Sequence, residues 1–255
     1  MSAPEKFCNW LKAHEHIDRL LGHKYRYHSR SDAHSIALCK FIGEDLLASS
    51  PLLRDQALLG KVAYGINIPY LWPNGKRKAI DLAIGLPKKL SAESDIFGIQ
   101  RALELTDVFV SCEAKTVMTE HKKSQPRVFD ELSSSHEIVH QGNPQAIAAG
   151  ITVVNISKTF VSPLRQKAAD SVFVSPHRQP QVTESMVNHL RGLPIRNETS
   201  QVGFDAYSTL VINCDNVHVA ELWTDPPAPQ PGDPDHYDAF VRNIVRAYVD
   251  RFSQI

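Results

Sequence analysis

Residues Ile147 to Ser157 read Ile-Ala-Ala-Gly-Ile-Thr-Val-Val-Asn-Ile-Ser, an apolar run with no polar alternation. The run is far shorter than the roughly 18 residues needed to cross a bilayer. Its β-branched content predicts a strand, and its largely apolar character without alternation predicts cover on both faces. A strand covered on both faces needs helices on each side of its sheet, so the chain is expected to be α/β with a mixed central sheet flanked by helices.

The rest of the chain supplies those elements. Residues 3–21 have a helical stripe of Phe7, Trp10, Leu11, Ile17 and Leu20/Leu21. Ser31-Asp32 caps a second helix running to about Ser49, and Pro51 to Gly60 makes one more short one. Val62–Trp72 and Lys78–Leu86 are β-rich runs joined by Pro73-Asn74-Gly75-Lys76, a hairpin signal. Residues 95–105 are expected to form a short helix or crossover. Asp107 to Val117 is a third strand, and residues 126–139 are a helix opened by Pro126. Residues 158–205 are loop-rich with a helix near 182–192. Tyr207–Asn213 and Val217–Trp223 form a second hairpin, and Asp235 to Phe252 closes the chain as a helix. All 255 residues are expected to form one domain: a helical part (1–60), a central core (61–157), then loops, hairpin and helix (158–255).

Charge narrows the function classes. Lys plus Arg and Asp plus Glu each number 28, which excludes a uniformly basic coat and leaves only local patches for nucleic acid. Residues 158–201 carry six basic and three acidic side chains, whereas 202–255 carry three basic and eight acidic. The four cysteines, Cys8, Cys39, Cys112 and Cys214, are widely spaced with no CxxC pair, as expected of reduced thiols in a cytoplasm. The first twenty residues are too charged for a secretory signal, and no membrane span is expected.

Within the core, Asp81 interrupts the apolar run Ala79-Ile80-Asp81-Leu82-Ala83-Ile84. Glu113-Ala114-Lys115 ends the apolar strand Val108-Phe109-Val110. Side chains alternate along a strand, so Glu113 and Lys115 share a face, and Asp81 joins them if the strands are neighbours. Two carboxylates are hard ligands suited to Mg²⁺, and a lysine beside them can orient or deprotonate an attacking water. A salt bridge at a strand end is the plainer alternative.

The order hairpin, Asp81, apolar strand, Glu113-x-Lys115, helix, strand resembles the PD-(D/E)xK nuclease superfamily, the fold of type II restriction endonucleases. The likeness covers roughly Glu44 to Ser157, and Ile80 stands where the family has a proline. It implies a Mg²⁺-dependent endonuclease acting on double-stranded DNA, with Asp81 and Glu113 as metal ligands, Lys115 assisting the water, and Glu44 as a further acidic residue. A duplex cut calls for two sites, hence a homodimer. Lys122, Lys123, Gln125 and Arg127 follow the motif and are expected to contact DNA. Arg165, His177, Arg178, Gln179, Arg191, Arg196 and Asn197 have side chains of the types that read bases. Lys76-Arg77-Lys78 is expected to be a solvated turn. Three alternatives stand beside this reading. One is a nonspecific defence effector nuclease switched on by a small ligand or by assembly. A second is a non-catalytic DNA-binding module. The third is a zinc metalloprotease, since His136-Glu137-Ile138-Val139-His140 matches HExxH; Glu184 is its candidate third ligand.

Overall fold

The computed structural model describes residues 1–17, 22–165 and 172–255; nothing is said of the side chains of Glu93 and Asp95. In chain order the elements are α1 (Ala3–Ala13), β1 (His16–Ile17), β2 (Lys24–Tyr25), α2 (Ala33–Ser49), α3 (Pro51–Leu58), β3 (Ala63–Leu71), β4 (Arg77–Ile96), β5 (Ile99–Val117), α4 (His121–Gly142), β6 (Ile147–Asn155), β7 (Thr159–Val161), β8 (Val174–Pro176), α5 (Gln181–Leu190), β9 (Ala206–Cys214), β10 (Ala220–Leu222) and α6 (Tyr237–Phe252). A six-stranded mixed sheet lies at the centre with helices on both faces, the α/β class expected. β3, β4 and β5 run antiparallel in sequence, β6 and β9 continue parallel to β5, and β10 closes the edge antiparallel to β9.

β6 is buried at every position, as its composition requires. One core joins the sheet to α1, α2 and α6 through Phe7, Leu11, Leu38, Ile42, Phe240 and Tyr248. The other joins it to α4 and α5 through Val128, Leu132, Val139, Met186 and Leu190. Burial on this scale, at roughly 25 cal/mol per Å² of apolar surface, is what sets β6 in the middle.

Several boundaries differ from the sequence reading. α1 stops at Ala13; Ile17 lies in a short strand and is 54% exposed, while Leu20 and Leu21 fall outside the described residues. Residues 95–105 are strand, not helix. β4 and β5 form one long hairpin turning at Phe97-Gly98, both with positive φ, and buried Ile96 and Ile99 pair beside the turn. The β4–β5 register shifts after Ile84, where a Cβ on Gly85 would lie 1.9 Å from the carbonyl oxygen of Asp107. That glycine admits the close approach that separates the regular half of the hairpin from its bent outer half.

α4 starts five residues before Pro126, which lies inside it. Glu120, in the left-handed region at φ 56°, turns the chain from β5 into the helix, so the start is set by the backbone there rather than by the proline.

Candidate active site

The β4–β5 ladder pairs Leu82 with Cys112, so the next step sets Asp81 across from Glu113. Asp81 Oδ2 accepts a hydrogen bond from the Ala114 backbone N–H at 2.8 Å, tying the carboxylate to the Glu-x-Lys strand. Glu113 is 6% exposed and receives a cation on each oxygen: Lys115 Nζ at 2.7 Å from Oε1 and Lys78 Nζ at 3.0 Å from Oε2. The Ser135 hydroxyl of α4 donates to Oε2 at 3.4 Å. Lys115 also reaches Glu131 of α4 at 3.3 Å, and Glu131 takes Arg127 at 2.9 Å.

The electrostatics are unbalanced. Burial, then the charge of Glu113, pushes Asp81 up to about 6, against the lowering effect of the Ala114 N–H and the two lysines. Burial alone would lower Lys115, but Glu113, Glu131 and Asp81 outweigh it and raise the ammonium above its ordinary value. Lys115 is therefore charged near neutral pH, which favours orienting water and stabilising negative charge over taking a proton.

Sequence reasoning brought Asp81, Glu113 and Lys115 together correctly and missed two partners. Lys78 is not a solvated turn residue; its ammonium lies on Glu113, and it also lines a cleft of 860 Å³ with Arg77, Lys88 and Glu104. Glu131 was legible from helical period: it precedes Ser135 by four residues, so the two share the side of α4 that meets Glu113 and Lys115. Glu44 stands elsewhere, bound to Lys6 of α1 at 2.9 Å, and no contact joins it to Asp81, Glu113 or Lys115 among the described residues.

The expected DNA contacts divide. Lys122, Lys123, Arg165, His177 and Arg178 line one cleft of 790 Å³ at the start of α4. Arg127 stands one turn beyond Lys123, and Glu131 one turn further, on one flank of the helix leading to Lys115. Gln125 donates to the Ser185 hydroxyl of α5 at 3.0 Å. Gln179 is turned inward to the Asn155 carbonyl at 3.0 Å, and Asn197 sits in a turn whose backbone N–H donates to Gln201.

Two arginines are corrections. Arg196 is 3% exposed and bound to Asp205 and to the Pro144, Ala146 and Thr199 carbonyls, so no base can reach it. Arg191 is held by Asp233 and Asp235 of the acidic C-terminal part.

The HExxH residues lie in the helical core. Both ring nitrogens of His136 are buried without a partner, His140 bonds Asp205 at 3.3 Å, and Glu137 and Glu184 are exposed. Among the described residues no three or more His, Cys, Asp or Glu side chains gather into a metal-binding group. Mg²⁺ asks for less, since one or two carboxylates with waters and phosphate oxygens complete its shell. Asp81 and Glu113, adjacent and mutually repelling, fit that requirement. No family model matches the chain, and no curated protein or solved structure matches it either.

Proposed function

We propose that this chain is a Mg²⁺-dependent endonuclease that hydrolyses phosphodiester bonds of double-stranded DNA. The observation that carries the reading is the Asp81–Glu113 pair. Two carboxylates lie adjacent with one held up to about 6, beside a charged Lys115 and next to a basic helix flank. Perturbed carboxylates of this kind concentrate at functional sites. Asp81 and Glu113 would hold the ion. Bound there, Mg²⁺ supplies positive charge against the phosphate and acidifies a water.

The chain's own residues do the rest. Lys115, fixed by Glu113 and Glu131, holds its ammonium where it can orient water and offset charge growing on the phosphate oxygens. Lys78 sits on the opposite oxygen of Glu113 and can turn toward a phosphate when Glu113 is otherwise engaged. Lys123 and Arg127 extend positive charge along α4, which fixes the register of a backbone without reading sequence. The mechanism is hydrolysis in line, with water entering at phosphorus and one ester oxygen leaving.

A homodimer with two such sites belongs to the same proposal, since a duplex has two strands to cut. A cytoplasmic setting fits the four free, buried cysteines. No helix of the described residues is long and apolar enough to cross a membrane.

The test is incubation with supercoiled plasmid in Mg²⁺, with the Asp81→Asn protein as control. Discrete bands lost in the variant support a site-specific enzyme, and a smear lost in the variant supports a nonspecific one. Plasmid left intact by the wild-type protein defeats the proposal.

A further inference from the structure

The cleft at the start of α4 differs in character from the carboxylate site. It gathers Lys122, Lys123, Arg165 and Arg178 against a single carboxylate, Glu120, which pairs with Arg165. No ion pair engages Lys122, Lys123 or Arg178 among the described residues, so three positive charges stand in excess over one concave volume of 790 Å³. α4 is 22 residues long and opens here without a side-chain cap, leaving its first backbone N–H groups unspent.

Ser175 lines the same cleft at 4% exposure, and its hydroxyl has no hydrogen-bond partner. A buried hydroxyl left without a partner costs stability, so its place in this wall points to a missing acceptor. His177 frames the cleft without being available to a ligand: its two ring nitrogens are taken by the Ser157 carbonyl and the Thr119 hydroxyl. Phe173, 40% exposed, also lines the cleft with Arg165 stacked 5.2 Å from its ring centroid.

We propose that this cleft binds a nucleotide through its terminal phosphate. Lys122, Lys123, Arg178 and the α4 N–H groups would hold the phosphate, Ser175 would donate to it, and Phe173 with Arg165 would stack the base. A terminal phosphate carries close to two charges near pH 7, against one for a backbone diester, and the excess of three positive charges in a concave site matches the former. An aromatic face beside the cations accepts any base by stacking. The volume falls within the range of small-molecule sites.

The nucleotide can be the end of a nucleic-acid strand or a free mononucleotide. The first source rests on the nuclease reading. The nine residue steps from Lys122 to Glu131 span about 13 Å along the helix axis. An end seated in the cleft would then bring a bond about four nucleotides inward to Lys115, at roughly 3.4 Å per nucleotide.

The experiment measures binding in EDTA, where cleavage plays no part. Labelled oligonucleotides bearing a 5′ phosphate, a 3′ phosphate or hydroxyls at both ends are titrated with the full chain, and mononucleotides are tested as competitors. A preference of about tenfold or more for one phosphorylated end, lost in Arg178→Ala and in Ser175→Ala, establishes the strand end as the ligand. Competition by mononucleotides without an end preference, again lost in those variants, establishes the free nucleotide. Ser175→Ala removes an unpartnered hydroxyl and should melt no earlier than wild type, which keeps a loss of binding from being a loss of fold. Equal binding of all oligonucleotides with no competition overturns the proposal. The plasmid assay judges the nuclease reading separately: intact plasmid with a clear phosphate preference removes that reading and leaves the nucleotide site standing.

Discussion

Two carboxylates, Asp205 and Glu113, each collect cations beneath the same sheet, to opposite effect. Asp205 Oδ1 takes Arg196 at 3.0 Å and Arg251 at 2.6 Å, while Oδ2 takes the Ala148 N–H at 2.8 Å and His140 at 3.3 Å. Burial would raise its pKa, but the hydrogen bonds from His140, Arg196 and Arg251 outweigh burial and bring it down to about 2. Arg196 spends its remaining donors on three backbone carbonyls. The charges of that cluster are all paired, and it ties the start of β6 to α6 and to the loop before β9. Around Glu113 the donors are lysines at 24% and 25% exposure, a second carboxylate lies alongside, and Asp81 is pushed up rather than down. Saturated charge holds a fold together. A carboxylate raised beside a second one, with half-buried lysines around them, is the feature on which the proposed metal site rests.

The sharpest test of that contrast is Lys115→Ala. If the Glu113 cluster serves chemistry, single-turnover cleavage should fall about 10²–10⁴-fold with little change in melting temperature. A protein that melts early yet cuts at the wild-type rate would reduce the cluster to a salt bridge.

Asp205→Ala should show the reverse. It leaves Arg196 buried without its counter-charge, a loss on the order of 3–5 kcal/mol. Each kcal/mol moves the melting temperature by about 2–4 °C at this chain length. Calorimetry showing wild-type stability would mean that the Asp205 cluster is not structural.

Asp81→Asn separates the two roles within one residue. Asp81 stands at about 6 in the fold against an ordinary 3.8, so its ionised form costs stability in full above pH 6. That cost fades as pH falls from 6 to 3.8. The variant should therefore stop cutting while melting a few degrees higher at pH 8, with the gain gone below about pH 4. Denaturation across that range reads it; a variant less stable at pH 8 would contradict the electrostatic account.

His136 gives the smallest effect at pH 8 and shows itself only in acid. Burial first, then His140 and Arg196, lowers it to about 4. The unfolded chain takes up the proton near 6.5 and the fold only near 4. Stability therefore falls as pH drops through this window, by up to about 1.4 kcal/mol per pH unit. His136→Leu should flatten that slope and leave melting at pH 8 almost unchanged. An unaltered acid slope would acquit His136.

Much of this was legible because local rules sufficed. Alternation alone put Glu113 and Lys115 on one face, and Asn74-Gly75 turned β3 into β4; Asp81 comes beside them through the β4–β5 pairing. The Phe97-Gly98 turn was missed because Phe does not advertise positive φ, so residues 95–105 looked like a crossover. Glu44 entered the site only through the likeness to the nuclease superfamily, which implies an acidic residue on an earlier helix, but α1 packs on α2 and Lys6 takes the charge. Arg196 and Arg191 read as surface cations because their acidic partners follow at 205, 233 and 235, and sequence does not show which pairs close.

The amino-acid order by itself determined the α/β sheet and the Glu-x-Lys face. Both follow from periods of two and 3.6 residues acting over a dozen positions. Only the tertiary structure decided which cations are spent and which remain. Arg196 is sealed on Asp205, Lys78 is drawn onto Glu113, and Lys122, Lys123 and Arg178 stand over a common cleft. The reason is physical: a charge's role depends on its distance to every other charge and on the water between them. Those distances are set by strands and helices far apart in the chain.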